Sequence, residues 1–235
     1  VDSWLLFNLT GGLAHATDHT NASRTLLMDL DSLSWSEELL EPLGIPKEVL
    51  PTLMSSSSQF GLTKGVPHLP DGIPIHGILG DQQAALFGQS AFNPGEAKCT
   101  FGTGAFMMLN TGTKKPVSHG GLLSTCAWTI GDEVTYALEG SAFIAGAAVQ
   151  WFRDGLKVIT KASDIEVLAS KVEDSGGLFF VPALAGLGAP HWKPDARGLF
   201  WGITRDTTLE HMARALLEGI ALQNLSIFAL MEEES

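Results

Sequence analysis

The chain has 235 residues, of which 45% are hydrophobic and 17% are charged. This balance is typical of a globular protein with one large or two small domains. With 14 basic and 26 acidic residues the formal net charge is −12, which argues against binding to nucleic acid or to an anionic membrane. An anionic nucleotide remains compatible with this charge, because backbone N–H groups can hold phosphates without net positive charge.

The N-terminal stretch VDSWLLFNLTGG has neither a basic flank nor a small-residue cleavage site. We therefore expect no signal peptide, and a chain that begins partway through a longer protein. No apolar run approaches the roughly 20 residues of a membrane-spanning helix. Cys99 and Cys126 form no CxxC pair, and the seven histidines show no metal-ligand spacing. These features predict a cytoplasmic protein without a zinc, disulfide or metal site.

The first 91 residues mix predicted strands and helices. Ser34 with Glu37 forms a capping-box pattern at the start of the first helix, and Gly44 supplies its stop. In chain order the predicted elements are a strand at Thr25–Leu30, a helix ending near Gly44, a serine-rich loop at 51–62, a buried strand at Ile73–Leu79 and a helix from about Gln82 to Ala91.

The pattern changes at the turn Asn93–Glu96, where we expect a second domain to begin. Four strand-like pieces separated by Gly-containing turns predict an antiparallel meander. Capping boxes, Ser163 with Glu166 and Thr207 with Glu210, predict two helix starts. The predicted elements are the strands AKCTF, AFMMLN, GLLSTCAWTI and VTYALEG, helices at about Ser141–Leu156 and Ser163–Asp174, strands in GLFFVPAL and GLFWGIT, and a last helix from near Thr207.

Asp81 follows the apolar run and Gly80 at the start of a predicted helix. Its spacing supports two interpretations equally. An Asp before a helix is a favoured N-cap, although the third helical position is Ala84 and completes no capping box. An ionised carboxylate in a cleft can also accept a hydroxyl proton during phosphoryl transfer.

Two glycine-containing patterns could hold a nucleotide. The GTG segment, Gly102 to Gly104, lies between strand-like runs, where positive φ, backbone N–H groups and the Thr103 hydroxyl could receive a phosphate; a plain tight turn has the same letters. Gly146 and Gln150 share one face of a small-residue helix. An adenine or ribose could lie against that face, and close helix–sheet packing is the alternative.

Several stretches together resemble the FGGY family of sugar kinases, in order along essentially the whole chain, and most closely its members that phosphorylate glycerol. One such motif alone would be weak evidence for the family, but the probability that all of them agree by chance is very small. The matching stretches are TDHTNASRT (Thr17–Thr25), GDQQAALFGQ (Gly80–Gln89), TFGTGAFMMLNTG (Thr100–Gly112), YALEGSAFIAGAAVQWFRD (Tyr136–Asp154), VPALAGLGAPHWKPDARG (Val181–Gly198) and GLFWGITRDTTLEHMARALLE (Gly198–Glu218).

The resemblance implies an α/β fold of the actin-like ATPase (ribonuclease H-like) type with two domains, each incomplete in this chain. Residues 1–91 would be the C-terminal part of the first domain and 92–235 the N-terminal part of the second. The implied activity is ATP-dependent phosphorylation of glycerol to sn-glycerol 3-phosphate with Mg²⁺. The implied partners are glycerol, ATP or ADP, and further copies of the protein in a dimer or tetramer.

The resemblance also implies roles for individual residues. Asp81 matches the family's catalytic base, Gln82 a glycerol contact and Phe106 an aromatic ring that packs on the glycerol carbons. The matched nucleotide-binding residues are Gly102, Thr103, Gly146 and Gln150.

The chain departs from the family in two ways. A family member is roughly twice as long, and its opening phosphate loop, an Arg-Glu pair that grips glycerol and a closing Gly-rich adenine segment have no match here. We therefore expect no useful kinase activity from these 235 residues alone. The segment GLTKGVPHLPDGIP carries only Lys64 where some members have an Arg-containing loop for fructose 1,6-bisphosphate, which puts that inhibition in doubt.

Three alternatives stay open. Another kinase of the family, such as a pentulose kinase, shares the plan and a general-base Asp, although TDHTNASRT and Phe106 favour glycerol. A non-catalytic scaffold fits the short length. An actin-like ATPase without an acceptor fits the fold, but a retained base beside an aromatic residue favours an alcohol acceptor.

Overall fold

A computed structural model describes all 235 residues, Val1–Ser235. The chain is mixed α/β, as predicted. The helices are α1 (Asp2–Leu9), α2 (His19–Ser23), α3 (Glu37–Leu43), α4 (Asp81–Gly88), α5 (Gly146–Gln150), α6 (Asp164–Ala169) and α7 (Leu209–Glu234). The strands are β1 (Ala16–Asp18), β2 (Met28–Asp29), β3 (Ser34–Trp35), β4 (Thr52–Met54), β5 (Ser57–Leu62), β6 (Pro74–Gly77), β7 (Ala97–Phe101), β8 (Ala105–Gly112), β9 (Leu123–Ile130), β10 (Glu133–Ala142), β11 (Phe179–Val181) and β12 (Leu199–Trp201).

The chain divides into two compact units. The first unit comprises Val1–Lys98, Met108–Val117 and Ser124–Leu138, and the second comprises Cys99–Met107, Ser118–Leu123 and Glu139–Ser235. Each of the strands β7 to β10 contributes residues to both units.

Six strands form one sheet in the order β6-β5-β9-β10-β8-β7. The four pieces predicted as strands, β7 to β10, are confirmed. Their predicted meander order is wrong, because β10 lies between β8 and β9. The two residues Gly131–Asp132 join β9 to β10 as a hairpin, with Gly131 at φ +59°, a left-handed conformation that glycine adopts without strain.

Four predictions in the first unit fail or change. The run Ile73–Leu79 is not a buried strand: β6 pairs with β5 at the sheet edge, and Ile73 is 41% exposed. The serine-rich segment 51–62 contains two strands, β4 and β5, instead of a loop. Ser34 lies in β3, so α3 is preceded by Ser36 and ends at Gly44 as predicted. The strand predicted at Thr25–Leu30 shrinks to β2.

The second unit shows similar shifts. Residues up to Ala142 belong to β10, so the predicted long helix reduces to α5 followed by one π-helical turn, Trp151–Gly155. Ser163 makes no side-chain cap on α6. The capping box of α7 is Thr208 with His211, one residue beyond the predicted pair.

Helix α7 is the longest element, and it is long and apolar enough by composition to cross a membrane, a property that the sequence reading missed. It packs against α6 and β11, as a core helix of a globular domain does. Gly219 makes that approach close, because a Cβ there would lie 2.2 Å from the carbonyl oxygen of Phe180.

Helix α4 is held by the core of the first unit. Leu86 is fully buried, and its burial stabilises the fold by roughly 1.5–3 kcal/mol. This anchors the helix whose first residue is Asp81. The surrounding cluster contains Leu86, Ala91, Met108, Ala127, Trp128 and Ala137.

Candidate active site

Asp81 is the first residue of α4, not its cap. The cap position is Gly80, with φ −61° and ψ 148°. Oδ1 of Asp81 accepts a hydrogen bond from the backbone N of Gln82 at 2.9 Å, whereas an N-cap side chain bonds N–H groups two or three residues further on. The capping interpretation is therefore wrong. The side chain is exposed, so a substrate hydroxyl can reach the carboxylate.

Gln82 has an amide whose two ends face different groups. Its Oε1 accepts a hydrogen bond from Lys98 Nζ, and its Nε2 lies 3.4 Å from Asp81 Oδ2. Lys98 lies on β7 and is only 6% exposed, which is rare for a lysine unless its amine is paired. Lys98 can only donate and a carboxylate can only accept, so these contacts define which end of the amide faces Asp81.

Asp18 forms a second polar cluster in the first unit. It is fully buried and caps α2, with its carboxylate accepting from the backbone N of Thr20 and of Asn21 at 3.0 Å each. The hydroxyls of Thr20 and Ser56 also donate to Oδ2, each at 2.7 Å. A buried carboxylate is costly unless it is fully hydrogen-bonded, and Asp18 meets this condition.

His19 lies beside this cluster. Burial lowers the pKa of its imidazole, while the nearby Asp18 charge acts in the opposite direction. Its Nδ1 lies 3.0 Å from Thr129 Oγ1. The ring belongs to the hydrogen-bonded framework around Asp18.

In the second unit, the GTG segment after β7 holds the start of α5. Gly102 O accepts from Gly146 N at 2.9 Å, and Thr103 O accepts from the N of Ala145 at 2.8 Å and of Ala147 at 3.0 Å. These helix-start N–H groups are used by the loop. The exposed Thr103 therefore supplies the hydroxyl that could contact a phosphate.

The glycines of this loop are required by close contacts. None of Gly102, Gly104 and Gly146 has a positive φ, so the expectation of left-handed backbone is wrong. A Cβ on Gly104 would lie 2.4 Å from Ala142 O, and one on Gly146 would lie 2.5 Å from Gly102 O. At Gly102 the nearest atom would be 4.0 Å away. Packing therefore accounts for Gly104 and Gly146, whereas the space beside Gly102 is open.

The remaining predicted residues also lie in the second unit. Phe106 is half-buried on β8, and Gln150 is exposed at the end of α5. Gly146 and Gln150 lie four residues apart in this helix, so they share a face as predicted.

The structure contains no group of three or more His, Cys, Asp or Glu side chains that could hold a metal ion. Mg²⁺ is usually bound by one or two carboxylates together with substrate phosphates and waters.

Sequence reasoning missed Lys98 and the cluster around Asp18. A single lysine inside the strand-like run AKCTF is a signal for Lys98, because a charged residue in a short apolar strand needs a partner. The letters Asp-His-Thr-Asn match an Asp N-cap followed by a short helix. The hydrogen bond between Asp18 and Ser56 joins residues 38 positions apart, so the spacing of neighbouring residues could not predict it.

Comparisons with known proteins agree with this architecture. Residues 1–88 match the N-terminal domain of the FGGY family of carbohydrate kinases, and residues 97–235 match its C-terminal domain. Glycerol kinase of Myxococcus xanthus is 61% identical over 237 residues, which cover 100% of this chain and 48% of that protein. Glycerol kinase of Bdellovibrio bacteriovorus is 56% identical over 235 residues, with the same coverage. The chain thus spans about half the length of the curated relatives it matches.

Solved structures show the same fold. Glycerol kinase of Plasmodium falciparum with ADP superposes with a TM-score of 0.90 at 45% identity, covering 99% of this chain and 46% of that one. A xylulose kinase from Rhodospirillum rubrum superposes with a TM-score of 0.83 at 24% identity, over 100% of this chain and 47% of that one; this likeness concerns the fold alone. The predicted actin-like ATPase fold is confirmed. With both domain matches and relatives at this identity, the chain belongs to the FGGY family of carbohydrate kinases.

Proposed function

We propose that this chain carries the catalytic base and part of the nucleotide site of an enzyme that phosphorylates glycerol with ATP, giving sn-glycerol 3-phosphate. The observation that supports it most is that the Asp81 carboxylate is exposed and does not cap a helix. The acceptor is proposed from the glycerol kinases of M. xanthus and B. bacteriovorus.

In the proposed reaction, Asp81 accepts the proton of a terminal glycerol hydroxyl as its oxygen bonds to the γ-phosphorus of ATP. The bond from that phosphorus to the β–γ bridging oxygen breaks, and ADP leaves. A base of this kind must come within hydrogen-bond reach of the proton it takes. Gln82 would hydrogen-bond glycerol, and Phe106 would pack against its carbons.

The nucleotide would contact residues of the second unit. Gly102 and Thr103 are proposed to contact phosphates, in keeping with the open space beside Gly102 and the exposed Thr103 hydroxyl. Gly146 and Gln150 are proposed to face the nucleoside. Mg²⁺ would enter with the phosphates of ATP.

The domain division at residues 91 and 92 is kept as a proposal, as are a cytoplasmic location and a homo-oligomer. We also propose that the 235 residues alone lack useful activity, because phosphoryl transfer depends on positioning groups and this chain spans about half of its relatives. ATP-dependent formation of glycerol 3-phosphate by the purified chain would contradict this.

The test is Asp81→Asn in the gene's full-length product, that is, this chain with whatever flanking sequence the gene encodes. The variant keeps the size of the side chain and removes the base. We expect kcat to fall about 10²- to 10⁴-fold with folding intact. Asp132→Asn, at an exposed acid in the turn before β10, is the matched control and should keep wild-type kcat. Equal rates in the two variants would refute the role of Asp81.

A substrate panel tests the acceptor. Glycerol, xylulose, ribulose and gluconate are each offered to the full-length product with ATP. We expect the highest kcat/KM with glycerol. A preference for a pentulose would assign the protein to another activity of the same family, and ATP hydrolysis without any acceptor would remove the acceptor altogether.

A further inference from the structure

The Asp18 cluster reaches the segment that carries the proposed base. Thr20 Oγ1 accepts a hydrogen bond from the backbone N of Gly80 at 2.8 Å, a contact across 60 residues of sequence. Gly80 is the residue immediately before Asp81. A single hydroxyl thus joins the buried cluster to the backbone at the start of α4.

The direction of these hydrogen bonds is set by chemistry. The Thr20 hydroxyl has one hydrogen, and Asp18, whose two oxygens lie 2.9 and 2.7 Å away, can use only that hydrogen. A lone pair of the hydroxyl is then left to receive the N–H of Gly80. The Asp18 carboxylate therefore orients Thr20 as an acceptor for Gly80.

The space beside Gly80 is occupied by the Gln83 side chain. A Cβ on Gly80 would lie 2.6 Å from Oε1 of Gln83. Gln83 is buried and donates from Nε2 to Thr125 Oγ1 at 3.3 Å and to Cys126 O at 3.4 Å. The backbone N–H of Gly80 is thus held by Thr20, and Gln83 in the first turn of α4 lies close beside it, while the Asp81 side chain stays exposed.

Ser56 completes the framework on the other side of Asp18. It donates to Asp18, its backbone N bonds Thr129 Oγ1 at 2.9 Å, and Thr129 N bonds Ser56 Oγ at 3.1 Å. Asp18 is therefore tied to β9 as well as to α2. Movement of its carboxylate is restricted, and so is movement of Thr20.

We propose that Asp18, acting through the Thr20 hydroxyl, is a positioning residue that fixes the Gly80–Asp81 corner and thereby the reach of the Asp81 carboxylate. This rests on the proposed role of Asp81 as the base. A base displaced by about 1 Å can lose on the order of 10²-fold in rate, so a single backbone hydrogen bond at this corner has a measurable effect.

The test compares three variants of the full-length product. Thr20→Val removes the hydroxyl and keeps the shape, and Thr20→Ser restores the hydroxyl. Thr10→Val is the matched control, because Thr10 is also fully buried and hydrogen-bonded. Its Oγ1 donates to Leu6 O at 2.8 Å and accepts from Ala14 N at 3.1 Å. Steady-state kinetics with glycerol and ATP, thermal unfolding and amide exchange at Gly80 are measured for each.

We expect Thr20→Val to lower kcat about 10- to 100-fold, with the KM for ATP unchanged and Gly80 exchanging faster. Thr20→Ser should recover most of kcat. Thr10→Val should lower the unfolding temperature by a similar amount and leave kcat and Gly80 exchange at wild-type values. If Thr20→Val does not fold, Thr20→Cys takes its place under the same criteria, because a thiol is a much weaker acceptor.

Equal kcat values in Thr20→Val and Thr10→Val would overturn the inference, and so would a kcat for Thr20→Ser as low as that of Thr20→Val. The variant Asp81→Asn distinguishes a failure of the proposed function from a failure of the positioning role. If Asp81→Asn keeps full activity, the proposed function fails; if it is inactive while Thr20→Val is as active as its control, only the positioning role fails.

Discussion

The amine of Lys98 donates a hydrogen bond to the amide oxygen of Gln82. This contact decides which end of the Gln82 amide is turned toward Asp81, whose Oδ2 lies 3.4 Å from Gln82 Nε2. Without the amine, the amide could turn and present its oxygen to the carboxylate. Lys98 thus acts on Asp81, the proposed base, through the uncharged amide of Gln82.

Lys98→Met tests this relationship. The variant keeps a long apolar side chain on β7 and removes the donor. We expect kcat/KM for glycerol to fall about 5- to 100-fold, which corresponds to the roughly 1–3 kcal/mol of a lost hydrogen bond with a charged or buried partner. The measurement is steady-state kinetics on the full-length product.

Lys47→Met is the control, because Lys47 pairs with Glu37 on the exposed surface and exposed pairs contribute little. A double-mutant cycle with Gln82→Ala shows whether Lys98 acts through Gln82. Additive losses in the double variant would contradict that pathway.

Gly102 and Gly104 should respond differently to alanine. In Gly104→Ala the new Cβ meets the Ala142 carbonyl oxygen at 2.4 Å, whereas in Gly102→Ala it has open space. We expect Gly104→Ala to destabilise the protein by about 1–3 kcal/mol, a typical overpacking cost, and to lower its melting temperature. Gly102→Ala should fold normally and raise the KM for ATP, because its methyl group occupies the space proposed for a phosphate. Equal melting temperatures for the two variants would contradict the close approach of the Ala142 carbonyl oxygen to Gly104.

The two cysteines should differ in reactivity. Burial raises the pKa of the Cys126 thiol from its ordinary value of 9.0 to about 12, with the Asp18 charge acting in the same direction. Cys99 is exposed. A maleimide at pH 7.5 should label Cys99 first, and Cys126 only after denaturation. Mass spectrometry of labelled peptides checks this, and rapid native labelling of Cys126 would contradict its burial.

The same thiol gives a pH dependence with a defined sign. Below pH 9 it is protonated in both the folded and the unfolded chain, so it does not change the free energy of unfolding with pH. Between pH 9 and about 12 the unfolded chain releases the proton and the folded chain keeps it. Stability should therefore fall as pH rises through this window. In Cys126→Ala this fall should be smaller, as chemical denaturation at pH 8 and pH 10 would show.

Thr208→Ala should weaken the start of α7. Thr208 and His211 form a reciprocal capping box, and loss of such a cap costs about 1 kcal/mol. Ser226→Ala is the control within the same helix, because its exposed hydroxyl only bonds Leu222 O. Denaturant titration should show a lower unfolding free energy for Thr208→Ala alone, and equal values would rule out the capping role.

Much of the sheet was predictable because alternating apolar residues and glycine turns mark β7 to β10. The order of these strands was not, since no local pattern says that β10 inserts between β8 and β9. β5 was missed because serines have low strand propensity, and pairing with β6 and β9 overrides that preference. Ile73–Leu79 looked buried because its residues are apolar, yet an edge strand can expose such residues.

In the candidate site, too, local features were predictable and contacts between distant residues were not. Asp81, Gln82 and the GTG segment stand out in sequence because each follows a strand and contains distinctive residue types. The Lys98–Gln82 bond and the Thr20–Gly80 bond join residues that are 16 and 60 positions apart in the sequence. Spacing within one helix or strand carries no information on such contacts.

The strand order has a consequence for how the protein forms during synthesis. The central strand β10 is the last of the six to leave the ribosome, because residues 133–142 follow all the others in the chain. Until then, the β7–β8 pair and the β9–β5–β6 group have no strand between them, and each exposes an unpaired edge. Pairing between strands that lie far apart in the sequence is slow. A nascent chain that stops before residue 133 therefore exposes both edges to pairing with other chains, and its two sheet fragments join only when β10 is present between them.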